Sequence, residues 1–193
     1  MLSLSGAPLS IDKTRVMWLA AINALLYGVI AIPMPAHDAM PAAFVAASLG
    51  LAAGLSLLSA CDVTSWRLPD ILTLPLLVAG LALAGLGGME NLAWHGASAL
   101  LGGLSLYVIG WLYLHYRGMD GLGLGDAKLF AAAGAWVGAE GLATVLLMAC
   151  GSALVAALVW KRMDTSVDGQ SAIPFGPFLA LGLWVVWLYG PLS

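Results

Sequence analysis

Hydrophobic residues fill this chain in long blocks, and polar residues are confined to the short gaps between them. Seven blocks stand out, at about 16–33, 41–60, 70–87, 92–114, 126–139, 141–160 and 173–190. A bilayer core about 30 Å thick takes roughly 20 apolar residues per helix, so each block is predicted to be a membrane-crossing helix. The fifth is the shortest and is bounded by Glu140, which suits a half-buried helix shielded by its neighbours. The first follows Lys13 and Arg15, as the apolar part of a signal peptide would. It runs from Val16 to Pro33, longer than the usual stretch of about 7–15 residues, and is read as an uncleaved first span.

The basic residues give the blocks a direction. All seven lysines and arginines fall in four places: Lys13 and Arg15; Arg67; Arg117 and Lys128; Lys161 and Arg162. Two blocks separate each place from the next, so all four lie on one face of a seven-span protein. The opposite loops, MPAHDAM, GGMEN and AEG, hold no lysine or arginine. Basic loops stay cytoplasmic, which predicts an N-in, C-out bundle. Omitting the short fifth block would throw Lys161 and Arg162 to the outside, which is a reason to keep it. The expectation is an all-α polytopic bundle, residues 1–193 forming a single membrane-embedded domain.

Composition agrees. The 193 residues are 62% hydrophobic and 9% charged, against about a quarter charged in a soluble domain, and the mean hydropathy is +0.98. Glycine, at 24 residues, suits helices packed closely in lipid. There is no basic stripe for a nucleic acid to follow. Cys61 and Cys150 have neither the number nor the spacing of a zinc site or a disulfide framework and are expected to be small, buried, reduced residues. No metal or cofactor is expected.

The acidic residues carry the candidate chemistry. Asp38, Glu90 and Glu140 belong to outer loops, and Asp12, Asp164 and Asp168 to a polar tail or loop, where solvation accounts for them. Asp62, Asp70, Asp120 and Asp126 remain, all in or beside the two central inner loops. Charge beside hydrocarbon is costly and points to function by default. In SACDVTSWRLPDILTLPLL, residues 59–77, Pro69 suits a helix start. Asp70 then meets the positive end of that helix's dipole. Asp62 has no such excuse, because it ends a helix. In GMDGLGLGDAKL, residues 118–129, Asp120 is read as solvated and Asp126 as an N-cap. Gly121, Gly123 and Gly125 exceed what a cap needs and would let another stretch of chain come close. A GxGxxG phosphate loop is excluded by the absence of a βαβ unit.

Two carboxylates at helix ends on one face suit aspartic-protease chemistry. Held close, they cannot both ionise easily and share a proton. The ionised group then activates a water while the other polarises a carbonyl. Membrane carriers also use paired carboxylates, and spacing alone does not choose between the two.

Three stretches together resemble the type IV prepilin peptidases, among the GxGD intramembrane aspartyl proteases. Asp62 with LPDILTLPLL, residues 68–77, is similar to the first-aspartate motif. GLGDAKL, residues 123–129, continuing into AAAGAWVG, is similar to the second. IPFGPFLALGLW, residues 173–184, resembles the C-terminal signature. The resemblance implies that Asp62 and Asp126 form the catalytic pair of a bacterial inner-membrane protease. Its site would lie at the cytoplasmic boundary and cut a short, charged leader from prepilins or pseudopilins ahead of a hydrophobic helix. Pilus or secretion machinery would be its wider partner. Gly123 and Gly125 would give the backbone room beside Asp126, Lys128 and Asp70 would support the site, and Pro174 and Gly176 would shape the substrate entrance or start a helix. Many bacterial members add an N-terminal domain with paired CxxC motifs, and this chain has no CxxC. The resemblance is therefore to the peptidase core, and methyl transfer, S-adenosylmethionine and zinc are not implied. The rival readings are a small carrier and a non-catalytic assembly partner.

Overall fold

The computed structural model describes residues 23–31, 42–118, 123–163 and 174–192, and all regular structure among them is α-helical. The helices are α1 (23–31), α2 (Ala42–Ser65), α3 (Asp70–Leu86), α4 (Met89–Arg117), α5 (Leu124–Met163) and α6 (Gly176–Tyr189). Three stretches, Ala42–Ser65, Met89–Arg117 and Leu124–Val159, are long and apolar enough to cross a membrane, and Asp70–Leu86 and Gly176–Tyr189 are shorter apolar helices. Lys13, Arg15, Asp38, Asp120, Asp164 and Asp168 lie outside the described residues.

Backbone chemistry sets the helix boundaries. Pro69, extended at φ −70° and ψ 135°, caps the start of α3, and Asp70 occupies its first turn, as the sequence predicts. Gly118 ends α4 in the left-handed conformation at φ 67°, a common helix stop. Helix α5 is broken at Gly138, where φ 72° and ψ 178° are open almost only to glycine. An unbroken helix would hold Phe130 and Leu142 about 18 Å apart. Yet a side chain at Gly102 of α4 would meet Phe130 O at 2.7 Å and Leu142 Cδ2 at 3.3 Å. The chain therefore turns back on itself at Gly138, and the two limbs of α5 correspond to the fifth and sixth hydrophobic blocks.

The first limb is the centre of the molecule. Ala127, Leu129, Phe130, Ala132, Ala133, Ala135 and Trp136 are all buried, which explains how so short a block escapes the need to face lipid along its length. It packs on α4 through small residues, with Ala131 against Gly103 and Gly134 against Ser98, the close approach expected where lipid supplies no hydrophobic drive. The indole N–H of Trp136 donates to Leu76 O of α3 at 2.8 Å, and that of Trp184 in α6 donates to Tyr27 O of α1 at 3.1 Å. Each buried ring thus arrives with its polar edge satisfied. The cysteines depart from expectation: both are free, but Cys61 is half-buried and Cys150 is exposed. On a helix that meets lipid, an apolar residue gains nothing by turning inward.

Candidate active site

Asp62 lies in the last turn of α2, which runs to Ser65, about five residues past the predicted end of the second block. Its carboxylate is 6% exposed. A helix C-terminus is an unfavourable place for an acid, and the structure resolves this by bringing up another helix. The backbone N–H of Gly176, the first residue of α6, donates to Asp62 Oδ2 at 2.9 Å in a buried hydrogen bond. The first N–H groups of any helix have no partner within it. Here one of them finds its acceptor in α2, and the positive end of α6 faces the carboxylate. A Cβ at position 176 would stand 2.7 Å from Oδ2, so only glycine lets α6 approach so closely. Pro174 stands just before this helix, Phe175 is its N-cap, and proline follows at its start.

Asp126 is 8% exposed and sits in the first turn of α5. It is not the N-cap that the sequence suggests, because the helix begins at Leu124. Its own N–H donates to Gly123 O at 3.1 Å, and its carboxylate lies beside Gly123, where a Cβ would stand 3.4 Å from Oδ2. Position in the helix, not capping, gives this acid its favourable end of the dipole. The two aspartates line one cavity of about 300 Å³.

The loop between α2 and α3 closes this cavity. Trp66 takes φ 54°, unusual for a bulky residue, and turns the chain so that Trp66, Arg67 and Leu68 all line the cavity. Leu68 lies against the start of α5, where a Cβ at Gly125 would stand 2.8 Å from its own. The chain that the glycines admit is thus the protein's own loop. Gly123 is different, since a Cβ there would meet Asp126 Oδ2 at an ordinary 3.4 Å. Lys128 lines the cavity but pairs with Asp70 Oδ1 at 2.5 Å, both side chains about half exposed. The pair ties the start of α3 to the beginning of α5.

Arg67 enters the sequence reading only as a marker of topology, yet it lines the cavity together with Trp66. Their position between the Asp62 and Asp70 motifs was the available sign that they belong to the site. His115, by contrast, stacks on Trp111 with ring centroids 5.4 Å apart and does not line the aspartate cavity. Among the described residues no three His, Cys, Asp or Glu side chains gather as a metal site would require.

Comparisons with known proteins bear on the same stretch of chain. The model of the type IV leader peptidase family matches residues 49–159, a span that includes both aspartates. A prepilin leader peptidase/N-methyltransferase of Burkholderia pseudomallei (strain 1026b) is 41% identical over 165 residues, covering 84% of this chain and 50% of that protein. The like-named protein of Xanthomonas campestris pv. campestris is 39% identical over 137 residues, 69% of this chain and 46% of its own. That of Aeromonas hydrophila is 40% identical over 131 residues, 67% and 44%. The chain thus spans about half the length of the curated relatives it matches. No solved structure matches.

Proposed function

The chain belongs to the type IV leader peptidase family, and from that premise we propose that it is a membrane aspartyl endopeptidase that removes the leader from prepilin or pseudopilin precursors. One observation carries the reading. Two aspartates from separate helices, each less than a tenth exposed, face the same cavity. Two buried acids lining one cavity are costly to a fold, and such sites are where function concentrates.

In the proposed mechanism the pair shares one proton. The ionised carboxylate takes a proton from a water, whose oxygen attacks the scissile carbonyl carbon. The protonated partner donates to the carbonyl oxygen as the tetrahedral intermediate forms. Collapse breaks the C–N bond: the proton held by the general base passes to the leaving amine, and a hydroxyl proton of the intermediate returns to the partner carboxylate, restoring the shared proton. The leader leaves with a new carboxyl end, and the mature chain with a new amino end. Gly176 supplies a backbone N–H that holds Asp62 during these transfers.

The setting proposed is a single domain in the bacterial inner membrane. It has seven crossings, N-in and C-out, with the aspartates at the cytoplasmic boundary. Support comes from the reversal at Gly138, which makes two limbs of α5, and from the confinement of lysine and arginine to alternate loops. Pilus or secretion machinery would receive the product. The relatives' names also include N-methyltransferase; the proposal for this chain concerns peptide hydrolysis alone.

The test is cleavage of a prepilin-like substrate by purified protein in detergent, with wild type beside Asp62→Asn and Asp126→Asn. Leader loss should be seen only with wild type, while both variants keep wild-type helicity and elution volume. A fully active single variant removes that residue from the pair. A folded wild type that cleaves none of a panel of leaders overturns the peptidase reading.

A further inference from the structure

A second cavity adjoins the one that holds the aspartates. It measures about 250 Å³ and is lined on α4 by Leu106, Tyr107, Gly110, Trp111 and Leu114. These positions recur every three or four residues and so form one face of the half of α4 nearest Arg117. The two cavities meet at Gly123 and Leu124, which line both. Their chemistry changes sharply across that ridge. Arg67 and Lys128 join the two aspartates on one side, whereas among the described residues no charged side chain lines the other.

We infer that the α4 cavity is the subsite for the apolar residues that follow the scissile bond, the substrate chain crossing Gly123–Leu124 with its charged leader on the aspartate side. The inference rests on the peptidase reading and adds to it where the substrate lies and what the enzyme selects. An apolar cavity of roughly 150 Å³ holds a benzene. The α4 cavity is larger, so it accepts an aromatic or large aliphatic side chain from the first turn after the cut. Tyr107, Trp111 and Leu114 are about half exposed, so the face is open to a helix arriving sideways from the bilayer.

A larger apolar groove, about 480 Å³, runs between α2 and α3 past Ala46, Gly50, Gly54, Ile71 and Pro75. It shares no lining residue with the aspartate cavity. A chain whose scissile bond sits between the aspartates therefore reaches the α4 cavity directly and the α2–α3 groove only after a gap. Continuity, not size, decides between them.

The experiment uses synthetic peptides with a lysine-containing leader and an apolar helix, carrying either phenylalanine or alanine in the first turn after the junction. Gly110→Leu fills the α4 cavity and adds a better helix former. It should lower kcat/KM on the phenylalanine peptide by about tenfold or more, the range for losing one apolar side chain from a pocket, and leave the alanine peptide within about threefold. Trp111→Ala enlarges the cavity and should shift preference toward bulkier residues at the same position. Gly50→Leu, in the α2–α3 groove, should cleave both peptides like wild type. Equal loss on both peptides with Gly110→Leu, no loss at all, or selective loss with Gly50→Leu instead would each overturn the subsite. Should wild type cleave neither peptide, the peptidase reading fails first and the subsite falls with it; cleavage by wild type with unchanged selectivity in all variants sinks the subsite alone.

Discussion

Asp62 and Asp126 reach the same cavity from opposite kinds of helix end. Asp126 stands in the first turn of its own helix, where the dipole favours a carboxylate. Asp62 stands in the last turn of α2, where the dipole disfavours it, and it depends on Gly176, 114 residues further along the chain. The first acid is positioned by its neighbours in sequence, the second by tertiary structure. A local device survives loosening of the bundle. A tertiary one is lost as soon as α6 shifts.

The sharpest way to break this comparison is to remove both acids. Each Asp→Asn change should cost at least about 10³-fold in cleavage, and the double variant should be no worse than either single, because members of a catalytic unit are not additive. Additive losses in single-turnover cleavage would mean that the two do not act together.

Next in size is Gly176→Ala. The added methyl would push α6 off Oδ2, and displacement of a positioning group by about 1 Å costs on the order of 10²-fold. The loss should appear in kcat with KM little changed, and the melting temperature should stay within a few degrees of wild type. A loss confined to KM would reassign Gly176 to substrate binding.

On the Asp126 side the two motif glycines should separate. Gly125→Ala meets Leu68 at 2.8 Å and should lower activity strongly by opening the loop, whereas Gly123→Ala makes an ordinary 3.4 Å contact and should stay within several-fold of wild type in the same assay. Equal effects would show that backbone freedom, not the approach of Leu68, is what the motif protects. The smallest effect belongs to the Lys128–Asp70 pair. Both groups are about half exposed, so Lys128→Ala should change stability by no more than about 1 kcal/mol and cleavage by no more than a few-fold.

The sequence made some of this legible and hid the rest for physical reasons. Asp70 and Pro69 could be placed because helix starts are written in local chemistry, and the limbs of α5 could be separated because Glu140 interrupts the hydrophobic run and the basic residues demand a reversal. The start of α5 was misjudged by two residues, since a glycine-rich run does not say where helix begins. Asp62 could be singled out as an acid at the wrong end, but its partner could not, because nothing near residue 62 announces the N–H of residue 176. The exposure of Cys150 was missed for a different reason: in a bundle that faces lipid, hydrophobicity no longer sorts inside from outside.

The hydrogen bond from Gly176 also has a consequence for biosynthesis. The ribosome finishes both aspartates well before it makes α6, so a nascent chain passes through a stage in which the pair exists but Asp62 lacks its backbone donor. The surroundings of Asp62 are therefore complete only once α6 has docked.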